Sequence, residues 1–511
     1  MSGKREYGDY QTPDSFALSV CEYLKEKRGI NPAVVIEPTC GIGSFIKNSL
    51  IFNADCIMGI DVNKDYCEEC KNRINDSRVQ ILNADFFSID LMSIIKERQD
   101  VLVIGNPPWV TNSTLSGLNS VNLPEKVNFK GLKGIEALTG ASNFDICEYI
   151  ILQIISALCR THSTIAMLCK TSVARNIFAE MKRSQISFKA CDIFEFNAKK
   201  VFGINVNACL LLIELNDSCS ISPDYCEVYS FDKPETLINR IFYRDSKLHN
   251  QAIRYCYDFS GDSCFEWRQG VKHDCSKVME LSLCNGRLIN GLKETVDIEL
   301  KYVYPLIKSS MFKSAIISTS NKYVIVTQKK IKEDTSHIEI DAPKTWKYLF
   351  SHKSFFEKRK SSIYKNAPDY SMFGIGEYSY SPYKVGVSGF YKKPLFSLLS
   401  TETGSPIMTD DTSYFICLPS FDTAYTAMLI LNSEHVQNYL YSIAFLDSKR
   451  PFTKKVLEQI DFHKVLDVIQ MTDLLQIEKQ LGLEQKFNED MFERFKHLLK
   501  MGQIKLPLYA S

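Results

Sequence analysis

The chain has 511 residues, too many for one hydrophobic core, so two domains are expected. With 45% hydrophobic and 24% charged residues, its composition is that of an ordinary globular protein. Lysine and arginine total 61 against 60 acidic residues, a net charge of +1, which excludes a globally basic nucleic-acid binder and confines any such contact to a local patch.

The start, MSGKREYGDYQTP, lacks the charged-then-apolar layout of a secretion signal, and no apolar run reaches the roughly 18 residues of a membrane span. A cytoplasmic protein of bacterial or archaeal type, without membrane contact, is expected. Strands are predicted at 33–37, 56–60, 79–83, 101–105, 163–169, 189–196 and 208–215, and helices at 13–27, 43–52, 64–75, 90–98, 144–160 and 173–184. This alternation, with uninterrupted apolar strands, predicts an α/β fold in which helices cover both faces of a parallel sheet and ligands bind beyond the carboxyl strand ends. Residues 217–245, rich in Ser, Asp and Pro, read as the exit from a first domain spanning 1–245. Across 246–511, short β pieces, many Tyr, Gly and Ser residues and clustered Lys and Arg precede helical stretches at 421–445 and 470–500, an α+β pattern with a different task.

The 17 cysteines are scattered, several of them (Cys159, Cys169, Cys209) among apolar neighbours. The single CxxC, Cys67 and Cys70, falls on a predicted helix with no second pair at ligand spacing, so reduced thiols and no metal are expected.

Chemistry concentrates at the strand ends. The first strand runs into Glu37-Pro38-Thr39-Cys40-Gly41-Ile42-Gly43, the second into Asp61, the third into Asp85-Phe86 and the fourth into Asn106-Pro107-Pro108-Trp109. Positions 37, 61, 85 and 106 recur every 21 to 24 residues, one strand-helix unit, and should converge on one crevice. A lone Asp after a strand is an ordinary helix cap, but four polar positions in phase after a glycine turn are not explained that way. Gly41 and Gly43 permit close approach of the backbone to a ligand, although Gly-x-Gly lacks the third glycine of a dinucleotide fingerprint. Asp61 is spaced to accept from ribose hydroxyls, Asp85 from an adenine amino group with Phe86 beside its ring, and Glu37 faces an ammonium or sulfonium. Together these describe S-adenosylmethionine. The paired prolines stiffen the turn after the fourth strand. Asn106 and the Pro107 carbonyl can accept both hydrogens of an exocyclic amine while Trp109 stacks on its ring, although Asn-Pro-Pro also occurs as a plain stiff turn.

These residues closely resemble the gamma-class N6-adenine DNA methyltransferases of type II restriction-modification systems, the TaqI-like group. The resemblance is strong over about 1–215 and looser over 265–465. It implies a Rossmann-like class I methyltransferase sheet followed by a target-recognition domain. Tyr10-Gln11-Thr12-Pro13 matches the family's amino-terminal motif, which places Tyr10 and Thr12 with Glu37, Thr39, Gly41, Gly43, Asp61, Asp85, Phe86 and Asn106 around the cofactor. Phe202 matches a base-stacking aromatic with spacing about one residue short, and ordinary core packing remains open for it. Trp109 replaces the commoner tyrosine. Asn143-Phe144-Asp145 matches a further motif in which Phe144 lines the adenine pocket; Asp145 as a simple helix cap stays open.

Residues 111–142, carrying Lys126, Lys130 and Lys133, read as a DNA-facing loop. Phe144, Arg268, Lys272, Lys384, Lys449 and Arg450, together with Lys358-Arg359-Lys360, are the candidate DNA contacts. About half of the seven aromatics between 370 and 391 are expected in core strands. Double-stranded DNA is the expected partner. The motifs begin by residue 8 and no nuclease signature follows them, so a separately encoded endonuclease, or a solitary role, is expected rather than a fused nuclease. Methylation of RNA or of protein glutamine, and a non-catalytic DNA-binding relic, are the competing readings.

Overall fold

The computed structural model describes residues 10–95, 100–110, 145–216, 222–250, 257–402 and 404–501. It divides into two units, Met1–Ala252 and Ile253–Ser511.

The first unit is built on ten strands: β1 Val34–Glu37, β2 Cys56–Asp61, β3 Val79–Asn83, β4 Val101–Gly105, β5 Thr164–Lys170, β6 Phe188–Asn197, β7 Asn207–Leu215, β8 Tyr225–Ser230, β9 Lys233–Arg244 and β10 Lys247–Asn250. Their order is β10-β9-β8-β6-β7-β5-β4-β1-β2-β3. Strands β1 and β4 are buried along their whole length, as their continuous apolar sequences require of a sheet covered on both faces. The cover comes from α1 Asp14–Glu22, α2 Ser44–Asn48, α3 Lys64–Arg73, α4 Leu91–Ile95, α5 Ile146–Leu158 and α6 Thr171–Arg183, with α7 Ala198–Phe202 between β6 and β7. Helix α5 is apolar almost all round and correspondingly buried. Most of these bounds agree with the sequence-based ones to within two residues; the end of the helix expected at 90–98 falls outside the described residues.

Two expectations are corrected. The sheet is not wholly parallel, because β7 lies antiparallel between β5 and β6. Only residues 198–206 join β6 to β7, too short a path for the crossover that a parallel neighbour needs. Residues 225–250 are also not an exit segment. Strand β8 pairs in parallel with β6, and β9 and β10 continue the sheet as antiparallel ribbons. Strand β9 is exposed over much of its length and carries Lys233, Glu235, Arg240 and Arg244, so it shows no apolar run.

The second unit contains two five-stranded sheets. One has the order β11-β20-β17-β18-β15 and the other β13-β12-β16-β14-β19. The first set is β11 Arg268–Gln269, β15 Ile316–Ile317, β17 Lys384–Ser388, β18 Ser397–Leu399 and β20 Ser413–Cys417. The second is β12 Glu280–Cys284, β13 Arg287–Asn290, β14 Val303–Ile307, β16 Lys322–Ile325 and β19 Met408–Thr409. Against the first sheet packs a helical cluster of α8 Phe421–Asn432, α9 Glu434–Ile443, α10 Met471–Gln480 and α11 Glu489–Lys500. Its polar centre is Glu478, fully buried, whose Oε1 accepts from the Tyr425 hydroxyl at 2.7 Å and from the Lys486 and Phe487 amides at 2.8 Å. Among the described residues no helix is long and apolar enough to cross a membrane, no cluster of ligating side chains could hold a metal, and every cysteine is free.

The turn from β1 into α2 needs its glycines. Gly43 stands before α2 in the left-handed region, φ +87°, and a Cβ there would lie 2.3 Å from the Cys70 Sγ of α3. Left-handed backbone and overpacking each cost about 1–2 kcal/mol or more. Gly43→Ala is therefore expected to lose roughly 2–4 kcal/mol of stability in urea unfolding, whereas an unchanged midpoint would show that Cys70 yields freely.

Candidate active site

The register of adjacent parallel strands brings the four polar positions to one edge. Glu37 pairs with Gly59, Asp61 with Asn83, and Ile36 with Val103, so Asn106, Glu37, Asp61 and Asp85 follow neighbouring strands in the order β4, β1, β2, β3. Asp61 braces the glycine turn. Its Oδ2 accepts from the Gly41 amide and its Oδ1 from the Asn63 amide, both at 2.8 Å. Gly41 is also left-handed, φ +51°, and faces the Gln11 side chain, whose Oε1 accepts from the Ile42 amide at 3.3 Å. Asp85 is exposed and caps the short turn Phe86–Ser88 through the Phe87 amide at 3.0 Å, with Phe86 buried behind it.

Glu37 is buried against Gly105 and accepts from the Ile46 amide of α2 at 3.2 Å. Burial pushes its carboxyl well above the usual range, with the Cys70 thiol and Asp61 adding to the rise and the Ile46 amide opposing it. Burial thus favours its neutral form, and a cation placed beside it would favour the ionised one. Thr39 Oγ1 and Asn106 Oδ1 are buried polar atoms with no hydrogen-bond partner among the described residues.

The Asn-Pro-Pro-Trp turn is held at several points. Asn106 Nδ2 donates to the Tyr10 carbonyl at 2.9 Å, which turns Oδ1 inward as a bare acceptor. Trp109 is buried, its indole Nε1 donating to the Leu168 carbonyl at 3.2 Å. The Trp109 carbonyl accepts from Lys170 Nζ at 3.1 Å, and the Val110 carbonyl from the Ile146 amide at 2.9 Å. Phe202 ends α7 with its ring 5.4 Å from Trp109 at 78°, while Tyr10 lies 6.0 Å from Trp109 and 6.3 Å from Phe202. Trp109 and Phe202 are thus brought together as expected, but in edge contact. Thr12 is buried just ahead of α1.

In the second unit the DNA candidates have unequal surroundings. Lys384 is corrected: it is fully buried in β17, its Nζ donating to the carbonyls of Ser379 at 2.7 Å and Ile407 at 2.5 Å, and burial lowers its pKa to about 8. Strand β17 is buried on both faces and the ammonium is satisfied by carbonyls. Arg359 is half-buried, stacked 3.8 Å from the Tyr364 ring and donating to the Ser371 carbonyl at 2.6 Å, so it supports the fold while Lys358 and Lys360 are exposed. Arg268 pairs with Glu266 over the Tyr378 ring, Lys272 pairs with Asp274 at 2.9 Å, and Arg450 donates to the Asp411 carbonyl at 3.2 Å. Lys449 is exposed beside Phe390. Of the seven aromatics, only Tyr370 is fully buried; Phe373, Tyr378, Tyr380, Tyr383, Phe390 and Tyr391 are half-buried on loops and a short helical turn rather than in strands. Phe144 and the 111–142 loop lie outside the described residues. Sequence reasoning missed Gln11 and Lys170, both of which act through main-chain groups.

No protein-family model matches the chain. The type II methyltransferase M.NspV of Nostoc sp. (strain ATCC 29411 / PCC 7524) is 39% identical over 477 residues, covering 91% of this chain and 98% of that protein. The chain belongs to the type II methyltransferases. The methyltransferase also superposes on a solved structure of the type IIL restriction-modification enzyme MmeI in complex with DNA, with a TM-score of 0.57 and 12% identity, covering 97% of this chain and 80% of that one. At that identity the likeness shows the fold, which is the class I methyltransferase fold. The protein is a DNA methyltransferase of restriction-modification type, and S-adenosylmethionine is its cofactor.

The strand-end residues fit that cofactor. Among the described residues Thr39 and Asn106 offer buried acceptors without a partner, and Glu37 can neutralise a positive centre on ionising. Free glutamate titrates near 4.5 and Glu37 well above it, so between those values the folded protein holds a proton that the unfolded chain has lost. Its contribution to stability is therefore lost as pH rises through that window. Glu37→Gln keeps the neutral shape at every pH. The cofactor-free variant is expected to melt higher than the wild type at neutral to alkaline pH, with the gap closing toward pH 4.5, and to bind S-adenosylmethionine more weakly in calorimetry. Tighter binding, or a lower melting point at alkaline pH, would refute this role.

Proposed function

We propose that the enzyme methylates N6 of an adenine turned out of duplex DNA, as a gamma-class modification enzyme. The supporting observation is Asn106 Oδ1, a buried acceptor next to Pro107 that has no partner among the described residues while Nδ2 is committed to Tyr10. The lone pair of an exocyclic amine is delocalised into its ring and makes a poor nucleophile. Two acceptors that take both N–H groups favour the pyramidal nitrogen of the transition state, a stabilisation absent from the planar ground state. The cofactor supplies an electrophilic methyl on a sulfonium. Glu37, Thr39, Asp61, Asp85 and Phe86 would orient it, with Tyr10, Thr12, Gly41 and Gly43 closing around its methionine end. Pro108 keeps the turn rigid, and no cysteine follows the prolines to act as the nucleophile of a ring-carbon methylase.

An amine clamp alone fits adenine or cytosine; the resemblance of Tyr10-Gln11-Thr12-Pro13 and Asn106-Pro107-Pro108-Trp109 to the gamma class favours adenine. Trp109 and Phe202 would sandwich the extruded base and offset part of its unstacking. On this reading the second unit selects the target sequence, with Arg268, Lys272, Lys449 and Arg450 toward DNA, and the cognate endonuclease is a separate chain.

Asn106→Ala is expected to lower the methylation rate by at least about 100-fold while binding S-adenosylmethionine normally. Nucleoside mass spectrometry of DNA methylated by the wild type should show N6-methyladenine. N4-methylcytosine, or an active Asn106→Ala enzyme, would overturn the reading. Phe202→Ala removes one stacking face, worth about 1–3 kcal/mol, and should cost roughly 5- to 150-fold in kcat/KM on duplex DNA, with a smaller loss when the target is already unpaired.

A further inference from the structure

Lys170 ends β5, the strand beside β4, with Gly105 opposite Met167 in the shared register. Among the described residues its ammonium makes two hydrogen bonds. One is the Trp109 carbonyl at 3.1 Å; the other is Asp145 Oδ2 at 2.5 Å. Asp145 is 6% exposed, and its Oδ1 caps α5 by accepting from the Cys147 amide at 3.2 Å. The preceding amide of that helix, Ile146, donates to the Val110 carbonyl. A single buried carboxylate thus anchors both the helix and the lysine, and together they grip the backbone on either side of the Trp109–Val110 bond. The indole is fixed independently by the Leu168 carbonyl, two residues before Lys170 on the same strand. At the other end of the turn, the Asn106 side chain is held, among the described residues, by the Tyr10 carbonyl.

Nothing about Trp109 as a stacking residue requires a cation behind its carbonyl. A lysine there, paired with a carboxylate at the mouth of the site, is a costly arrangement that an apolar residue would replace if packing alone mattered. Its geometric effect is to fix the plane of the Trp109 peptide, and through two stiff prolines the direction of the Pro107 carbonyl and the Asn106 amide.

We propose that Lys170, locked by Asp145, is a positioning residue for methyl transfer that aims the Asn106–Pro107 acceptors by holding the Trp109 carbonyl. The proposal rests on the amine-clamp reading given above. Lys170 does not touch the reacting atoms, so its loss acts on the chemical step and leaves the cofactor pocket intact.

The test compares Lys170→Met, Lys170→Arg, Asp145→Asn and the double variant Lys170→Met/Asp145→Asn in single-turnover methylation of duplex DNA, beside cofactor affinity by calorimetry. Lys170→Met is expected to slow methyl transfer about 100-fold, the loss typical of misplacement by about 1 Å, with cofactor affinity within roughly threefold of wild type. Lys170→Arg, which keeps a donor within reach of the carbonyl, is expected to retain at least about a tenth of the rate. Asn caps helices as well as Asp does, so the double variant keeps α5 capped and removes both charges, and it decides the matter even if the single methionine variant folds poorly. It should remain as slow as Lys170→Met. Wild-type rates in the double variant would mean that Lys170 only neutralises Asp145, and wild-type rates in Lys170→Met would mean that it does nothing for the turn. Either overturns the proposal. Asn106→Ala, run alongside, separates the two levels: if that variant is active, the clamp itself is wrong, whereas an inactive Asn106→Ala beside an active Lys170→Met sinks only the positioning role.

Discussion

The register of four parallel strands is the constraint on which the rest of the first unit depends. Because β4, β1, β2 and β3 lie side by side with their ends level, one sequence period of strand plus helix translates into one step across a crevice. A slip of one residue in any strand would reverse its facing and carry a polar end into the apolar core. The burial of β1 and β4 on both faces makes such a slip very costly, so the hydrophobic strands enforce the alignment of the polar ends without contributing any chemistry themselves.

What stands at those ends is held in tension. Burial disfavours the charged form of Glu37 in the cofactor-free fold, and among the described residues Asn106 Oδ1 lacks the bond that a buried acceptor ordinarily finds. The braces around them are hydrogen-bonded. Asp61 ties the glycine turn, Tyr10 orients the Asn106 amide, and Lys170 with Asp145 holds the Trp109 backbone. A carboxyl and an amide kept under-bonded by well-bonded neighbours form a site shaped before its ligand arrives, which lowers the ordering cost at the moment of reaction.

Much of this was legible beforehand. Strands such as Val101-Leu102-Val103-Ile104-Gly105 have no alternative but deep burial, and the phase of positions 37, 61, 85 and 106 followed from counting. What stayed hidden has physical reasons. The antiparallel sense of β7 depends on the length of one connection and not on its apolar pattern. Strands β8–β10 lack such a pattern because their positions are largely half-buried or exposed. Lys384 looks like any surface lysine until two carbonyls are found to surround it, and Gln11 and Lys170 act through backbone groups that carry no sequence signature. Side chain to main chain bonds over long separations are the part of a site least readable from one chain.

The perpendicular contact of Phe202 with Trp109 has an energetic corollary. Parting two rings that already satisfy one another forfeits their mutual attraction, so a lone nucleobase drifting up from solvent gains little by intruding. A polymer anchored along many phosphates can spend binding free energy gathered elsewhere to wedge the rings open. On the proposed reading the aromatic pair would therefore act as a threshold, turning away free purines and admitting one delivered by a long, tightly gripped duplex.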